Sequence, residues 1–86
     1  MDAQCADLAK SCGDTPKHID QLSGECKQAA AKKAACTDKV QALIGCYERD
    51  VCGTGDKVWA LADLKVLAER HQKCAAERAA VDRCGK

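Results

Sequence analysis

Large apolar side chains are scarce in this sequence of 86 residues, which has no phenylalanine, one tryptophan, one tyrosine and one methionine. Although 47% of the residues count as hydrophobic, alanine and cysteine supply much of that share. The chain sits close to the length of about 70–80 residues below which a single core seldom suffices without staples. The sequence therefore predicts one domain, residues 1–86, that needs covalent support in addition to its core.

The sequence also lacks a large net charge of either sign, because its 14 basic residues are balanced by 13 acidic ones. This balance provides no field to attract nucleic acid or an anionic membrane surface. No apolar run approaches the roughly 20 residues of a membrane span. We therefore expect protein partners, no nucleic acid and no transmembrane segment. Residues Met1–Cys5 also lack the basic start and apolar stretch of a signal peptide.

Residue patterns typical of catalytic and metal sites are missing too. No two cysteines are adjacent or separated by only one or two residues. Those are the spacings at which two thiolates bind one metal ion or form a redox-active pair. No Ser/His/Asp cluster, glycine-rich phosphate loop or close carboxylate pair indicates catalysis. We expect a protein that is not an enzyme and that needs no cofactor or metal ion.

What the chain does have is cysteine, and an even number of cysteines at this density is typical of a disulfide scaffold. Each bridge contributes about 2–4 kcal/mol to stability. We expect four disulfides and no free thiol among Cys5, Cys12, Cys26, Cys36, Cys46, Cys52, Cys74 and Cys84. Disulfides need an oxidising compartment, yet no export signal is visible. Either a signal was removed ahead of residue 1, or the compartment is reached by another route.

Helix signals cover nearly the whole sequence, and no strand pattern appears. Gly53-Thr54-Gly55 is the clearest turn, and it separates a helical stretch over 25–52 from a last helix over 56–83. Ahead of them a short helix over 2–12 is expected to end at Gly13, since glycine suits the left-handed residue after a helix. The predicted fold class is all-α: a disulfide-stapled antiparallel helical hairpin with a shorter N-terminal helical segment packed alongside.

Cysteine spacing indicates how the hairpin is stapled. Nine residues separate Cys26 from Cys36, Cys36 from Cys46, and Cys74 from Cys84. Ten steps along a helix rise about 15 Å, so the two cysteines of such a pair lie near one face but too far apart to bond to each other. The pairs Cys36–Cys74 and Cys26–Cys84 are both centred on residue 55, inside the predicted turn. This coincidence favours those two bridges.

Four cysteines remain, and two pairing schemes stay open for the chain. If the leading segment folds back along the long helix, Cys12 meets Cys46 and Cys5 meets Cys52. The alternative is a fully nested scheme that resembles saposin-like helical proteins and needs a sharp bend after Cys36. Its bridges are Cys5–Cys84, Cys12–Cys74, Cys26–Cys52 and Cys36–Cys46.

Paired Cys-x9-Cys motifs on a helical hairpin resemble the twin Cys-x9-Cys (CHCH) family of the mitochondrial intermembrane space. The motifs are here residues 26–36 and 74–84. The resemblance implies a chain without a cleaved presequence that a disulfide relay oxidises and traps. It also implies an internal targeting signal of apolar residues beside a docking cysteine, to which Val40 and Leu43 after Cys36 are similar. The sequence departs from the family in its long inter-motif stretch, its four extra cysteines and its lack of an aromatic residue at the docking site.

Trp59, just after the predicted turn, has two alternative roles. A lone tryptophan in so small a domain is expected in the core, where Trp59 would pack against Tyr47 across the hairpin. The alternative is a partly exposed anchor for a partner, because tryptophan is enriched at interface hot spots. We favour the core and keep Trp59 as the candidate partner anchor.

The functional expectation is a non-catalytic structural or interaction protein. The resemblance implies an accessory subunit or assembly factor of a respiratory complex, located in the mitochondrial intermembrane space. The alternative is a secreted disulfide-rich helical toxin, effector or pheromone-like ligand that acts on an extracellular receptor or channel. The sequence does not identify the partner.

Overall fold

Helices dominate the computed structural model, which describes residues 2–84 and contains no strand within that range. All eight cysteines lie in this range, and all are bonded in four disulfides. The predicted all-α, disulfide-stapled fold is therefore confirmed. The α-helices of the described residues are α1 (Asp2–Cys12), α2 (Pro16–Lys32), α3 (Thr37–Cys46), α4 (Leu61–Arg70) and α5 (Ala75–Arg83).

The first two helices form a hairpin, and α1 lies at the centre of the core. Its inner face is fully buried at Cys5, Leu8, Ala9 and Cys12. Thr15 caps α2 by accepting a hydrogen bond from the backbone N–H of His18, and Pro16 occupies the first helical position. The Cys5–Cys26 bridge ties the two helices together. The shorter N-terminal segment thus packs alongside the rest, as predicted.

The helix predicted over 25–52 is interrupted between α2 and α3. A short 3-10 turn, Ala34–Cys36, separates the two helices, although no glycine or proline marks the break in the sequence. Tertiary packing overrides local helix propensity here, because α1 contacts both α2 and α3. The change of direction allows both helices to reach α1.

All four predicted disulfide pairings are wrong, and so is the nested alternative. The predicted bridges were Cys36–Cys74, Cys26–Cys84, Cys12–Cys46 and Cys5–Cys52. The observed bridges are Cys5–Cys26, Cys12–Cys52, Cys36–Cys84 and Cys46–Cys74.

The error is one of register. Bridges Cys36–Cys84 and Cys46–Cys74 join α3 to α5 with Cα–Cα distances of 6.1 and 5.9 Å. Both are centred on residue 60 instead of residue 55. Two Cys-x9-Cys segments are therefore paired in antiparallel fashion, but they are residues 36–46 and 74–84. The whole connection over 47–73, which includes α4, separates them, so a short turn at 53–55 was the wrong centre.

Residues 47–60 form the irregular part of the connection. A π-helical turn, Tyr47–Val51, leads into a 3-10 turn, Cys52–Thr54, and Gly55 then adopts a left-handed conformation with φ of 100°. The expected turn is present. The following helix was predicted from residue 56 but begins at Leu61. Residues 57–59 make hydrogen bonds to the α1–α2 hairpin instead.

The last predicted helix, 56–83, is also divided. Gln72 and Cys74 have left-handed backbone angles, with φ of 57° and 61°, and they separate α4 from α5. The backbone N–H of Lys73 closes the end of α4 by donating to the carbonyl of Ala68 at 2.8 Å. The break lets α5 run antiparallel to α3. No helix within residues 2–84 is long and apolar enough to cross a membrane.

Candidate functional site

Trp59 is on the surface, so the expectation of a core tryptophan is wrong. The residue is 62% exposed, whereas Tyr47 is buried with 5% exposure. Instead of packing against Tyr47, the indole ring stacks on the imidazole ring of His18 with a centroid distance of 5.0 Å and an interplanar angle of 16°. The alternative that the sequence left open, an exposed Trp59, matches the observed position.

The orientation of Trp59 is set by the start of α2. Its indole N–H donates to Oδ2 of Asp14 at 3.2 Å, and the ring Nδ1 of His18 is paired with Oδ1 of the same carboxylate. The hydrogen bond from His18 holds the pKa of Asp14 below its ordinary value, and the bond from Trp59 acts in the same direction. One carboxylate therefore positions both stacked rings.

The backbone that carries Trp59 is fastened to the same region. The N–H of Val58 donates to the carbonyl of Cys12 at 2.8 Å, and Nζ of Lys57 donates to the carbonyl of Ser11 at 2.8 Å. The Cys12–Cys52 bridge joins the end of α1 to the chain just ahead of this segment. Trp59 is thus an exposed aromatic side chain on a well-anchored support.

Trp59 borders a shallow depression of about 340 Å³ on the surface of α4. Val66, which is 53% exposed, lies on the same depression. These two are the exposed large hydrophobic residues of the described chain. The depression, here called the Trp59 surface, is lined by Lys57, Val58, Trp59, Asp63, Val66, Leu67 and Arg70. An apolar centre with charged side chains around it is the usual anatomy of a protein-binding patch.

A second concave feature, here called the central groove, lies where α2, α3, α4 and α5 converge. It has a volume of about 500 Å³ and a mainly apolar lining that includes Val40, Leu43, Ile44, Leu61 and Val81. No α1 residue contributes to it. This groove could not be predicted from the sequence, because its walls come from segments whose relative register was mispredicted.

Charged and polar groups are placed around the central groove. Nη1 of Arg78 is buried and makes no hydrogen bond within residues 2–84, although Oε1 of Glu69 lies 3.5 Å away. Burial raises the pKa of Tyr47, which also lines the groove, to about 12. Glu25 accepts a hydrogen bond from the N–H of Leu61 at 3.2 Å and so caps the start of α4.

One cluster of metal-ligating residue types occurs in the described range, formed by Cys46, Asp50 and Cys74. The two sulfur atoms are bonded to each other, so neither is a thiolate, the form that coordinates metal ions. The contact of 3.5 Å between Cys46 Sγ and Asp50 Oδ2 is not a hydrogen bond either, because a bridged sulfur carries no proton. The cluster as folded offers one carboxylate only.

Of the sequence-predicted site residues, the structure brings the cysteines together in pairs and places Trp59 at the surface. It does not bring Trp59 to Tyr47. Sequence reasoning missed Asp14 and His18, whose only signal was their position beside the Thr15-Pro16 helix start. Comparison with known protein families, curated proteins and solved structures found no match.

Proposed function

We propose that this protein is a non-catalytic interaction protein that uses the Trp59 surface to bind a protein partner. The observation that carries the proposal is the fixed exposure of Trp59. A tryptophan that is 62% exposed and yet held by a stacked ring and a hydrogen bond loses little conformational freedom on binding. Lys57, Asp63 and Arg70 provide a charged rim.

We further propose that the protein works in the mitochondrial intermembrane space as an accessory subunit or assembly factor of a respiratory complex. The support is that bridges Cys36–Cys84 and Cys46–Cys74 join two antiparallel Cys-x9-Cys helices. Two paired Cys-x9-Cys helices are the arrangement that the resemblance implies. The motif that pairs with residues 74–84 is residues 36–46, not residues 26–36. The insertion of α4 between the paired helices is a departure from a simple hairpin.

The internal targeting signal proposed for this chain lies on α3. Val40 is buried and Leu43 is half-buried on the face that follows Cys36, so this face is fully accessible to a relay enzyme only before the protein folds. A cysteine at position 36 can then form the first mixed disulfide while the apolar face is still open. As α3 folds against α5, the thiolate of Cys84 attacks the mixed disulfide at Cys36, which forms the Cys36–Cys84 bridge and releases the relay enzyme in its reduced form. A second oxidised enzyme joins Cys46 to Cys74 in the same way.

Import of the reduced chain into isolated mitochondria tests the location. We expect protease-protected, oxidised protein that depends on the relay oxidoreductase, and a loss of accumulation in Cys36→Ser and in Leu43→Ser. Val66→Ser, which changes an exposed apolar residue of α4 in the same way, is the matched control and should be imported normally. Import that is independent of the relay, or no import at all, would contradict the location and favour the secreted alternative.

Photocrosslinking tests the binding surface itself. A photoreactive residue in place of Val66 should yield a discrete adduct that migrates with a respiratory complex on native gels. The same residue in place of the exposed Ala42 of α3 should not. Trp59→Ala should abolish the adduct without changing the four disulfides. Adducts of equal yield at both positions would show that the Trp59 surface is not the interface.

A further inference from the structure

We propose that the central groove binds a single-chain anionic amphiphile, a medium- or long-chain fatty acid carboxylate, with the carboxylate at Arg78 and the hydrocarbon chain along α3. This site is separate from the Trp59 surface and does not depend on the proposed protein partner. The volume of about 500 Å³ falls within the range of roughly 300–1,000 Å³ that is typical of small-molecule sites.

The walls of the groove suit the hydrocarbon part of the ligand. Side chains from α3, α4 and α5 supply a continuous apolar lining, with Leu43, Leu61 and Val81 only partly covered by the protein. The remaining wall comes from α2, where Ala29 is small and leaves space. An aliphatic chain would cover these side chains, and each buried methylene would contribute to affinity through removal of apolar surface from water.

A donor without a hydrogen bond, on Arg78, suits the anionic head of the ligand. Arg78 has a side chain with only 16% exposure, and its buried Nη1 donates no hydrogen bond within residues 2–84. Oε1 of Glu69 lies 3.5 Å from Nη1 as an ion-pair partner but accepts no hydrogen bond from it, and a buried guanidinium nitrogen without a hydrogen bond is costly. A carboxylate accepts from a guanidinium in a two-pronged geometry, so it is the group that best completes this corner of the groove.

The net charge around the groove agrees with an anion. The basic residues on its lining are Lys32, Lys33, Lys65 and Arg78, whereas the acidic ones are Glu25 and Asp82. Glu25 is already engaged with the N–H of Leu61. The lining is therefore cationic although the chain as a whole is nearly neutral, with a formal charge of +1. A cationic amphiphile would meet repulsion at the same place.

Calorimetric titration of the oxidised full chain with sodium dodecanoate, kept below its micelle concentration, tests the proposal. We expect saturable binding of one ligand per chain. Dodecan-1-ol and dodecyltrimethylammonium share the chain but not the negative head, and both should bind at least tenfold more weakly. Butanoate, which keeps the head and loses most of the chain, should not bind detectably.

Two arginines provide a matched pair of variants. Arg78→Gln should weaken dodecanoate binding about tenfold or more, whereas Arg70→Gln, the same change on the Trp59 surface, should leave it within about twofold. If Arg78→Gln fails to form its four disulfides, the exposed Lys65→Gln replaces it and should weaken binding measurably. Dodecan-1-ol binding as tightly as dodecanoate, or an unchanged affinity in the folded variant, would overturn the proposal.

Amide and side-chain chemical shifts of the wild-type protein give an independent readout. Dodecanoate should perturb the resonances of Leu43, Tyr47 and Val81 and leave those of Trp59 and Val66 unchanged. Perturbations centred on Trp59 instead would place the ligand on the protein-binding surface and refute the assignment of the central groove.

Discussion

The indole nitrogen of Trp59 lies 3.2 Å from Oδ2 of Asp14, a residue 45 positions earlier in the chain. This bond crosses from the extended segment ahead of α4 to the residue just before the N-cap of α2. It explains how a side chain can be largely exposed and still have one orientation. Exposure and order are properties that a partner-binding anchor needs together.

The two aromatic residues should have very different effects on stability. Trp59→Ala should lower the free energy of unfolding by about 1 kcal/mol or less, since it removes one exposed hydrogen bond and little buried area. Tyr47→Ala should cost about 3–5 kcal/mol, because it empties a site in the core. Urea denaturation followed by circular dichroism measures both. A larger loss for Trp59→Ala than for Tyr47→Ala would contradict the observed burial.

Acid should release the Trp59 surface before it unfolds the protein. The pKa of Asp14 is lowered in the folded state by the hydrogen bond from His18, so its contribution is present above the ordinary carboxyl pKa of about 3.9 and is lost as the pH falls below it. Trp59 emission should therefore change as the pH falls below the ordinary carboxyl range, while far-ultraviolet circular dichroism stays constant. Asp14→Ala should show no such step. A step that persists in Asp14→Ala would assign it to another group.

Alkali should reveal the burial of Tyr47, the one tyrosine of the chain. Its pKa is raised from 10.0 to about 12 by burial, so the folded state disfavours the phenolate. The contribution of Tyr47 to stability is complete below pH 10 and is lost as the pH rises toward 12. Tyrosinate absorbance after a rapid pH jump should appear near pH 12 in the native protein and near pH 10 in the reduced, unfolded chain. Equal midpoints would mean that the ring is solvated.

The all-α class and the number of disulfides could be predicted from the sequence, since they follow from local helix signals and from an even number of cysteines. The disulfide register could not. It depends on where α4 begins and ends, and neither residues 56–60 nor residues 71–74 contain a glycine or a proline. At its start the N–H of Leu61 is capped by Glu25 from another helix, and at its end Gln72 takes a left-handed conformation. The central groove and the bond between Asp14 and Trp59 are consequences of that register and could not be foreseen.

Two glycines that look alike in sequence should respond oppositely to alanine. Gly13 was expected to be left-handed, but it is needed for close approach instead. A Cβ there would lie 2.7 Å from Cγ1 of Ile19 and 2.9 Å from the carbonyl oxygen of Ala9. Gly13→Ala should therefore destabilise by about 1–3 kcal/mol. Gly24→Ala, in the middle of α2 with nothing within 4 Å, should stabilise by about 0.5–1 kcal/mol. Thermal denaturation would measure both, and the same sign for both would contradict the packing.

Replacing Gln72 should make the protein more stable. Gln72 adopts φ of 57° just after α4, a position where glycine is preferred because it lacks a Cβ. Gln72→Gly should raise the free energy of unfolding by up to about 1 kcal/mol. The control Gln41→Gly, at an exposed position inside α3, should lower it by about 1 kcal/mol. A loss of stability in both variants would show that the left-handed angle carries no strain.

The distribution of the bridges has a consequence for limited proteolysis. Cys5–Cys26 lies wholly within the α1–α2 hairpin, and Cys36–Cys84 and Cys46–Cys74 lie wholly between α3 and α5 or at their ends. Cys12–Cys52 alone connects these two groups. A protease that nicks the chain beside Lys33 would therefore produce a two-chain molecule held by one interchain bond, and selective reduction of that bond would separate it into two internally bridged halves.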